Sequence, residues 1–313
     1  MTRHQVVIYL TAIALGIVVG SLVPDARMLD SVISPAIGVL LYATFLGVPF
    51  TRLGEAFRDV RFLVTLLVLN FVLVPVVVYA LSRFVATDDA VLLGVLLVLL
   101  TPCVDYVIVF TGLAGGAHAK LVAAAPVLMI AQLLLLPAYL AVFAGPRALA
   151  GISAAPFVEA FVYLIAVPLL LAAATQVAAR RFRPAAGILR LGDAAMVVLM
   201  ALTLFVVVAS QAGLVIASLG RLGVAIAIFV GFLVVMTFVG LAVSRAAHLD
   251  ARSGRAAVFS GATRNSLVVL PLALALPAEL ALVPAVVVAQ TLVELVGMVI
   301  LVRVVPALLP ARA

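Results

Sequence analysis

Several residue types are scarce in this sequence. Its 313 residues include no tryptophan, one cysteine and three histidines, and only 10% of them are charged. One cysteine cannot form an intrachain disulfide, and the histidines all fall at or beyond predicted helix ends, which argues against a buried histidine metal centre. A chain with 67% hydrophobic residues and so little charge cannot cover itself with a polar surface. Composition therefore excludes a water-soluble globular fold and predicts a polytopic membrane protein.

Ten apolar segments are long enough to cross a bilayer as helices. A span needs about 20 apolar residues, and a helix is the only open-ended element that satisfies its own backbone hydrogen bonds in hydrocarbon. The predicted spans are residues 6–23, 32–49, 62–83, 90–115, 121–143, 157–178, 194–212, 222–243, 256–276 and 282–305. Because the connecting loops are short, we expect a single all-α transmembrane domain over residues 1–313.

Lysine and arginine are distributed unequally between the two sides of this domain. With the N-terminus inside, the inside segments hold fourteen of the nineteen basic residues, the outside loops hold four, and Arg264 lies within a span. Basic loops tend to remain in the cytoplasm, so both termini are predicted to be cytoplasmic, in the cell membrane. The net charge of +7 follows from this bias and gives no sign of nucleic-acid binding.

The chain divides near residues 145–155 into two blocks of five spans. We predict repeat 1 over about residues 1–145 and repeat 2 over residues 151–313. An odd number of spans gives the second block the opposite orientation, and such inverted repeats are common in secondary transporters. The fourth span of each block carries polar residues at mid-membrane, in "LLTPCVDYVIVF" and "FSGATRNSLVVLP". This matching position supports the duplication.

Both polar segments are predicted to interrupt their helices. Pro102 has no N–H for the carbonyl of Val98 and disfavours helical angles at Thr101. In the ninth span, Gly261 weakens the helix and the Ser260 hydroxyl can satisfy released backbone groups. A single kink of this kind is often only a packing feature. Two breaks in matching places instead indicate a cavity-lining site near the bilayer centre.

Three charged residues, Asp105, Arg264 and Glu294, lie well inside predicted spans. A charge at the bilayer centre costs at least about 2.5–3.5 kcal/mol, so such residues are candidates for function. Two compatible interpretations are an ion pair of Arg264 with Glu294 or Asp105, and a carboxylate that binds and releases a proton. Gln290 lies one turn before Glu294 on the same helix face, so the two residues are expected to line one pathway.

Cys103 directly follows the helix-breaking proline and lies two positions before Asp105. A lone cysteine in a helix is most often a small packing residue. Beside a helix break it also offers a soft thiol, which prefers thiophilic metals and metalloids to hard ions. A single thiol would hold such a species loosely enough to release it. Cys103 is thus expected either to pack or to make a transient contact with trivalent arsenic or antimony.

Three motifs in order and spacing resemble one transporter family. "TPC" in the fourth span, "FSGATRNSLVV" in the ninth and "TLVELVGMVI" in the tenth are similar to the arsenite permease branch of the bile acid:sodium symporter superfamily. The resemblance covers nearly the whole chain. It implies a core domain of spans 3–5 and 8–10, with crossing broken helices, beside a panel domain of spans 1, 2, 6 and 7. It also implies that Cys103, Asn265 and Glu294 match functional positions of the family.

The activity implied by this resemblance is export of arsenite or antimonite by proton antiport, with no cofactor. The sequence departs from arsenite carriers at Val104, Asp105 and Tyr106, and at Arg264 where they carry an asparagine. A fixed cation at Arg264 makes sodium coupling less favourable and could favour an anionic substrate. The alternative is therefore a sodium- or proton-coupled symporter of small organic anions. An enzyme or receptor is not expected, because the sequence shows neither a catalytic constellation nor a soluble sensing domain.

Overall fold

The computed structural model is mainly helical in the part of the chain that it describes, residues 2–23, 29–47, 58–104, 106–145 and 162–310. Its α-helices are α1 (Thr2–Leu22), α2 (Asp30–Gly47), α3 (Val60–Val68), α4 (Val74–Ser82), α5 (Asp89–Leu99), α6 (Tyr106–Leu113), α7 (His118–Phe143), α8 (Val167–Ala179), α9 (Arg183–Ala217), α10 (Leu219–Ala246), α11 (Ala251–Ala262), α12 (Ser266–Leu274) and α13 (Val283–Leu308). Turns of π-helix cover Leu69–Leu73 and Val162–Ala166, and 3-10 turns cover Arg83–Val85 and Ala278–Leu280.

Five helical segments of the described residues are long and apolar enough to cross a membrane. They are Val60–Val85, His118–Phe143, Ala194–Ala217, Leu219–Ala246 and Ala278–Leu308. These segments coincide with predicted spans 3, 5, 7, 8 and 10. Shorter apolar helices lie where spans 1, 2 and 6 are predicted, at Val7–Leu22, Pro35–Gly47 and Val167–Ala179. The start of span 6, residues 157–161, lies outside the described residues. An all-helical fold with membrane-spanning helices is thus confirmed.

The fourth predicted span is split into two helices at its proline. Helix α5 ends at Leu99 and α6 begins at Tyr106. Because Pro102 has no N–H to donate, the carbonyl of Val98 accepts instead from the N–H of Thr101, at 3.3 Å. The break predicted from sequence therefore occurs, for the reason predicted.

The ninth predicted span is also split, slightly later than predicted. Ser260 and Gly261 remain helical, α11 ends at Ala262, and α12 begins at Ser266. Gly261 instead permits a close approach, since a Cβ atom there would lie 2.8 Å from a methyl carbon of Leu69 in the third span. Absence of a side chain, rather than weakness of the helix, is what this position requires.

The third span contains a π-helical turn over Leu69–Leu73 that the sequence did not lead us to expect. Pro75 follows the turn and cannot donate to the carbonyl of Phe71 four residues earlier. The hydroxyl of Tyr139, on α7, donates to that carbonyl. The turn also contains Asn70, whose side chain reaches α11. Turns of this kind often occur at functional sites.

Helix α9 packs along α1, α2 and α8. It lies close to α1 at Gly16 and Gly20, where a Cβ atom on Gly20 would lie 2.2 Å from the carbonyl oxygen of Ala209. This GxxxG spacing allows two membrane helices to pack closely. Helix α13 packs against α5, α10 and α12 and also contacts α9. The two broken spans are therefore enclosed by neighbouring helices.

A polar cluster joins three helix ends at one side of the molecule. Asp59 caps α3 and Asp250 caps α11 through backbone N–H groups. Lys120, in the first turn of α7, donates to Asp59 at 2.6 Å and to Ser253 at 2.8 Å. The hydrogen bond from Lys120 holds the pKa of Asp59 below its ordinary value. The cluster thus links α3, α7 and α11 outside the apolar region.

Candidate functional site

The two helix breaks meet in the interior of the protein. Pro102 and Arg264 form an isolated antiparallel β-bridge, and the N–H of Asn265 donates to the carbonyl of Thr101 at 2.8 Å. All four residues are buried. Extended backbone cannot satisfy its own polar groups in hydrocarbon, so pairing of the two segments compensates for the breaks. We call residues 100–104 and 263–265 the crossing.

Side-chain hydrogen bonds close the helix ends at the crossing. The hydroxyls of Thr101 and Thr263 each donate, at 2.8 Å, to the carbonyl four residues earlier in their own helices. The side-chain oxygen of Asn265 accepts from the N–H of Val268 at 3.2 Å and caps α12. The amide nitrogen of Asn265 has no hydrogen-bond partner within the described residues. A buried donor therefore remains available at the crossing.

The carboxyl group of Glu294 lies against the crossing and is 1% exposed. Its Oε2 accepts from the backbone N–H of Arg264 at 2.7 Å and from the side-chain amide of Gln290. Its Oε1 lies 2.6 Å from the hydroxyl oxygen of Tyr106, which also lies 2.8 Å from the carbonyl oxygen of Arg264. We call Glu294, Tyr106, Gln290 and the backbone of Arg264 the carboxyl cage.

The hydrogen bonds within the carboxyl cage depend on whether Glu294 is protonated. The Tyr106 hydroxyl has one hydrogen to donate. When Glu294 is ionised, two acceptors compete for that hydrogen, namely Glu294 Oε1 and the carbonyl of Arg264. When Oε1 carries a proton, it donates to the Tyr106 oxygen, and the tyrosine hydrogen goes to the carbonyl. Both short contacts are then hydrogen bonds. Gain or loss of one proton on Glu294 therefore changes the acceptor to which the Tyr106 hydroxyl donates.

The guanidinium of Arg264 is fully buried and forms no ion pair with Glu294. One of its terminal nitrogens donates to Asn70 Oδ1 at 2.8 Å and to the carbonyls of Ser260 and Gly261 at 2.8 and 2.9 Å. No carboxylate contacts it within the described ranges. The expected ion pair between the Arg264 and Glu294 side chains is wrong, because the broken helix leaves carbonyls that take the guanidinium. The two residues are linked instead through the backbone of Arg264, whose N–H donates to Glu294 and whose carbonyl shares the Tyr106 hydroxyl with it.

Nine residues selected from the sequence are buried at or beside the crossing. They are Thr101, Pro102, Cys103, Ser260, Gly261, Arg264, Asn265, Gln290 and Glu294. The tenth, Asp105, lies outside the described residues, so its expected pairing with Arg264 stays a prediction. Cys103 is 1% exposed within the crossing itself.

Two residues of this site were missed. The sequence assigned no site role to Asn70, and Tyr106 stood out only as a departure from arsenite carriers. An amide five residues before a proline in a membrane span was the signal for Asn70, because the proline disturbs the turn that holds it. Tyr106 begins the second half of a broken span, where a side chain can turn toward the break.

Two cavities lie along α9. One, of about 220 Å³, is lined by Thr44, Val104 of the crossing, Ile108 and Met196. The other, of about 250 Å³, includes Ser210, about 20 Å further along the helix. No group of three or more His, Cys, Asp and Glu side chains suited to a metal ion occurs in the described part of the chain.

Membrane-spanning helices around two broken helices, with polar groups enclosed where they break, define an integral membrane protein with an internal polar site. A family model described as the Sodium Bile acid symporter family matches residues 34–218, more than half of the chain. The chain belongs to this family of multi-pass membrane transporters. Among curated proteins no match to the chain was found. The predicted superfamily and the transporter class are therefore confirmed.

Proposed function

We propose that this protein is a secondary active transporter that exports arsenite or antimonite in exchange for protons. The observation that carries the proposal is the carboxyl cage, a buried carboxyl group at the crossing whose hydrogen bonds change with one proton. A membrane carboxyl group without a cationic side-chain partner is suited to bind and release a proton during transport.

The proposed architecture is ten spans in two inverted repeats, over about residues 1–145 and 151–313. Spans 3–5 and 8–10 form a core, and spans 1, 2, 6 and 7 form a panel. Supporting this division, α9 packs with α1, α2 and α8, whereas α13 packs with halves of both broken spans. Movement of the core against the panel would open the crossing to each side in turn. The basic inside loops support cytoplasmic termini in the cell membrane.

The route from proton to solute runs through the backbone of the crossing. Glu294 accepts from the N–H of Arg264, and Arg264 is paired with Pro102, the residue before Cys103. A change in protonation at Oε1 of Glu294 alters the hydrogen bond between Tyr106 and the carbonyl of Arg264, while the N–H of Arg264 stays bonded to Oε2. The thiol of Cys103 is therefore connected to Glu294 through the paired backbone of Arg264 and Pro102. Through this connection, binding of a proton at Glu294 can disfavour binding of the solute at Cys103, as antiport requires.

Hydrogen-bonding groups without partners favour a neutral hydroxide as solute. The amide nitrogen of Asn265 and the amide oxygen of Gln290 are buried and have no partner in the described residues. A trihydroxide of arsenic or antimony accepts and donates hydrogen bonds, and its soft central atom prefers sulfur. Cys103 would provide the sulfur, with Thr101 beside it, and Asp105 remains a proposed member of this site.

A second candidate is symport of a small organic anion with protons or sodium. The family match and the largely apolar cavity beside Val104 favour it. Arg264 was expected to bind the anion, but its two terminal nitrogens already donate to four oxygens of the chain, including the carbonyl of Leu99 at 3.4 Å, and only its Nε lacks a partner in the described residues. Because these hydrogen bonds occupy most of the guanidinium, we rank transport of organic anions as the second candidate.

Proteoliposomes with an imposed pH gradient would test both candidates. We expect wild type and the control Thr111→Val to move arsenite and dissipate the gradient, since the Thr111 hydroxyl has no partner in the described residues. Cys103→Ser should lose arsenite transport, and Glu294→Gln should lose its dependence on the gradient. Arsenite transport by Cys103→Ser at the wild-type rate would contradict the proposal. Uptake of a bile acid or small carboxylate under a sodium or proton gradient, without arsenite transport, would establish the second candidate.

A further inference from the structure

The side chain of Arg264 replaces two backbone donors that the ninth span loses at its break. In a continuous helix the carbonyl of Ser260 would accept from the N–H of Arg264, and that of Gly261 from the N–H of Asn265. Those N–H groups turn instead to the carboxyl cage and to the fourth span. The guanidinium donates to both carbonyls. A cationic group thus sits at the C-terminal end of α11.

The same guanidinium also lies at the end of the other broken span. It donates to the carbonyl of Leu99, the last residue of α5, at 3.4 Å and to Asn70 Oδ1 at 2.8 Å. Its carbon lies 5.5 Å from the centroid of the Phe232 ring. The C-terminal ends of both half-helices carry partial negative charge, and the aromatic face adds a further attraction for a cation.

We propose that Arg264 is a tethered cation that fills a monovalent-cation site formed by the ends of two half-helices. Carbonyls of unwound backbone and the C-terminal ends of half-helices coordinate coupling cations in transporters. Here the four oxygens are neutral, the ligand type that hard cations accept, and the cation belongs to the chain. Since it cannot dissociate, coupling is left to the proton of the carboxyl cage. Only this last statement rests on the proposed function.

Removal of the tethered charge should convert the site into one that binds cations from solution. Arg264→Ala leaves the oxygens of Asn70, Ser260, Gly261 and Leu99 around an empty volume. We expect its Tm to depend on guanidinium, sodium or potassium at millimolar concentrations, relative to choline at equal ionic strength. Each tenfold increase above the Kd should raise Tm by about 2–4 °C.

Thermal unfolding in lipid nanodiscs can be followed with a thiol-reactive dye, because the single cysteine is buried in the folded protein. The wild type should show the same Tm in sodium and in choline. Arg264→Gln, which keeps a long polar side chain without the charge, provides a second variant should Arg264→Ala not fold. Arg255→Ala is the matched control, since Arg255 also donates to helix-end carbonyls but is partly exposed.

A rise of Tm with a small cation in Arg264→Ala or Arg264→Gln, absent from wild type and Arg255→Ala, supports the tethered cation. Sodium-dependent stabilisation of the wild type would overturn it, as would two folded Arg264 variants that respond to no cation. These results come from unfolding, so failure to transport arsenite would leave them unaffected.

Discussion

Replacement of Asn70 by leucine should destabilise the protein far more than its size change suggests. Its side-chain oxygen accepts from the Arg264 guanidinium at 2.8 Å, and its amide nitrogen donates to Ser260 Oγ at 3.0 Å. A hydrogen bond to a charged group contributes about 1.5–3 kcal/mol, and one between membrane helices about 0.6 kcal/mol. We therefore expect the free energy of unfolding to fall by about 2–4 kcal/mol.

The matched control is Thr111→Val, the same kind of change at an equally buried hydroxyl that has no partner in the described residues. Its unfolding free energy should be unchanged or higher by about 1 kcal/mol. Denaturant titration in mixed micelles would measure both variants, and Asn70→Asp, which keeps the acceptor oxygen, should have a stability between that of Asn70→Leu and wild type. If Asn70→Leu is as stable as Thr111→Val, Asn70 does not hold the buried cation.

Three further variants test other contacts. Gly20→Ala should lower Tm through a clash with α9, whereas Gly231→Ala, with open space around its Cα, should not; equal Tm values would argue against the close α1–α9 contact. Tyr106→Phe should slow proton-driven transport about tenfold and shift its pH profile, since the carboxyl cage loses the hydroxyl that follows the proton; an unchanged profile would exclude that role. Lys120→Met should be less stable than wild type at neutral pH. Because the pKa of Asp59 is lowered in the folded protein, this difference should shrink as pH falls below about 4, and a constant difference would contradict the pairing.

The sequence allowed the helical membrane fold and both helix breaks to be predicted. Hydropathy identifies a span from local composition alone, and a proline removes a backbone donor wherever it occurs. Partners across the crossing were harder to predict. Arg264 was expected to pair with a carboxylate because opposite charges attract, but its guanidinium donates to carbonyls of its own broken helix and to Asn70.

The roles of Asn70 and Tyr106 depend on contacts between residues far apart in sequence. Asn70 reaches Arg264 across 194 positions and Tyr106 reaches Glu294 across 188. No local pattern contains such a pairing. Composition and spacing could indicate that both spans carry polar groups, while the direction of each side chain depended on how the helices pack.

Pairing of the two broken segments also constrains how the protein is made. The Thr101 carbonyl is bonded to the N–H of Asn265, a residue that a ribosome adds 164 positions later. At synthesis rates of about 5–20 residues per second, the first half waits for roughly ten seconds or more with this carbonyl unpaired. During that interval water, lipid headgroups or an insertion factor must shield the unwound backbone. The crossing can therefore form only after the second half has been synthesised.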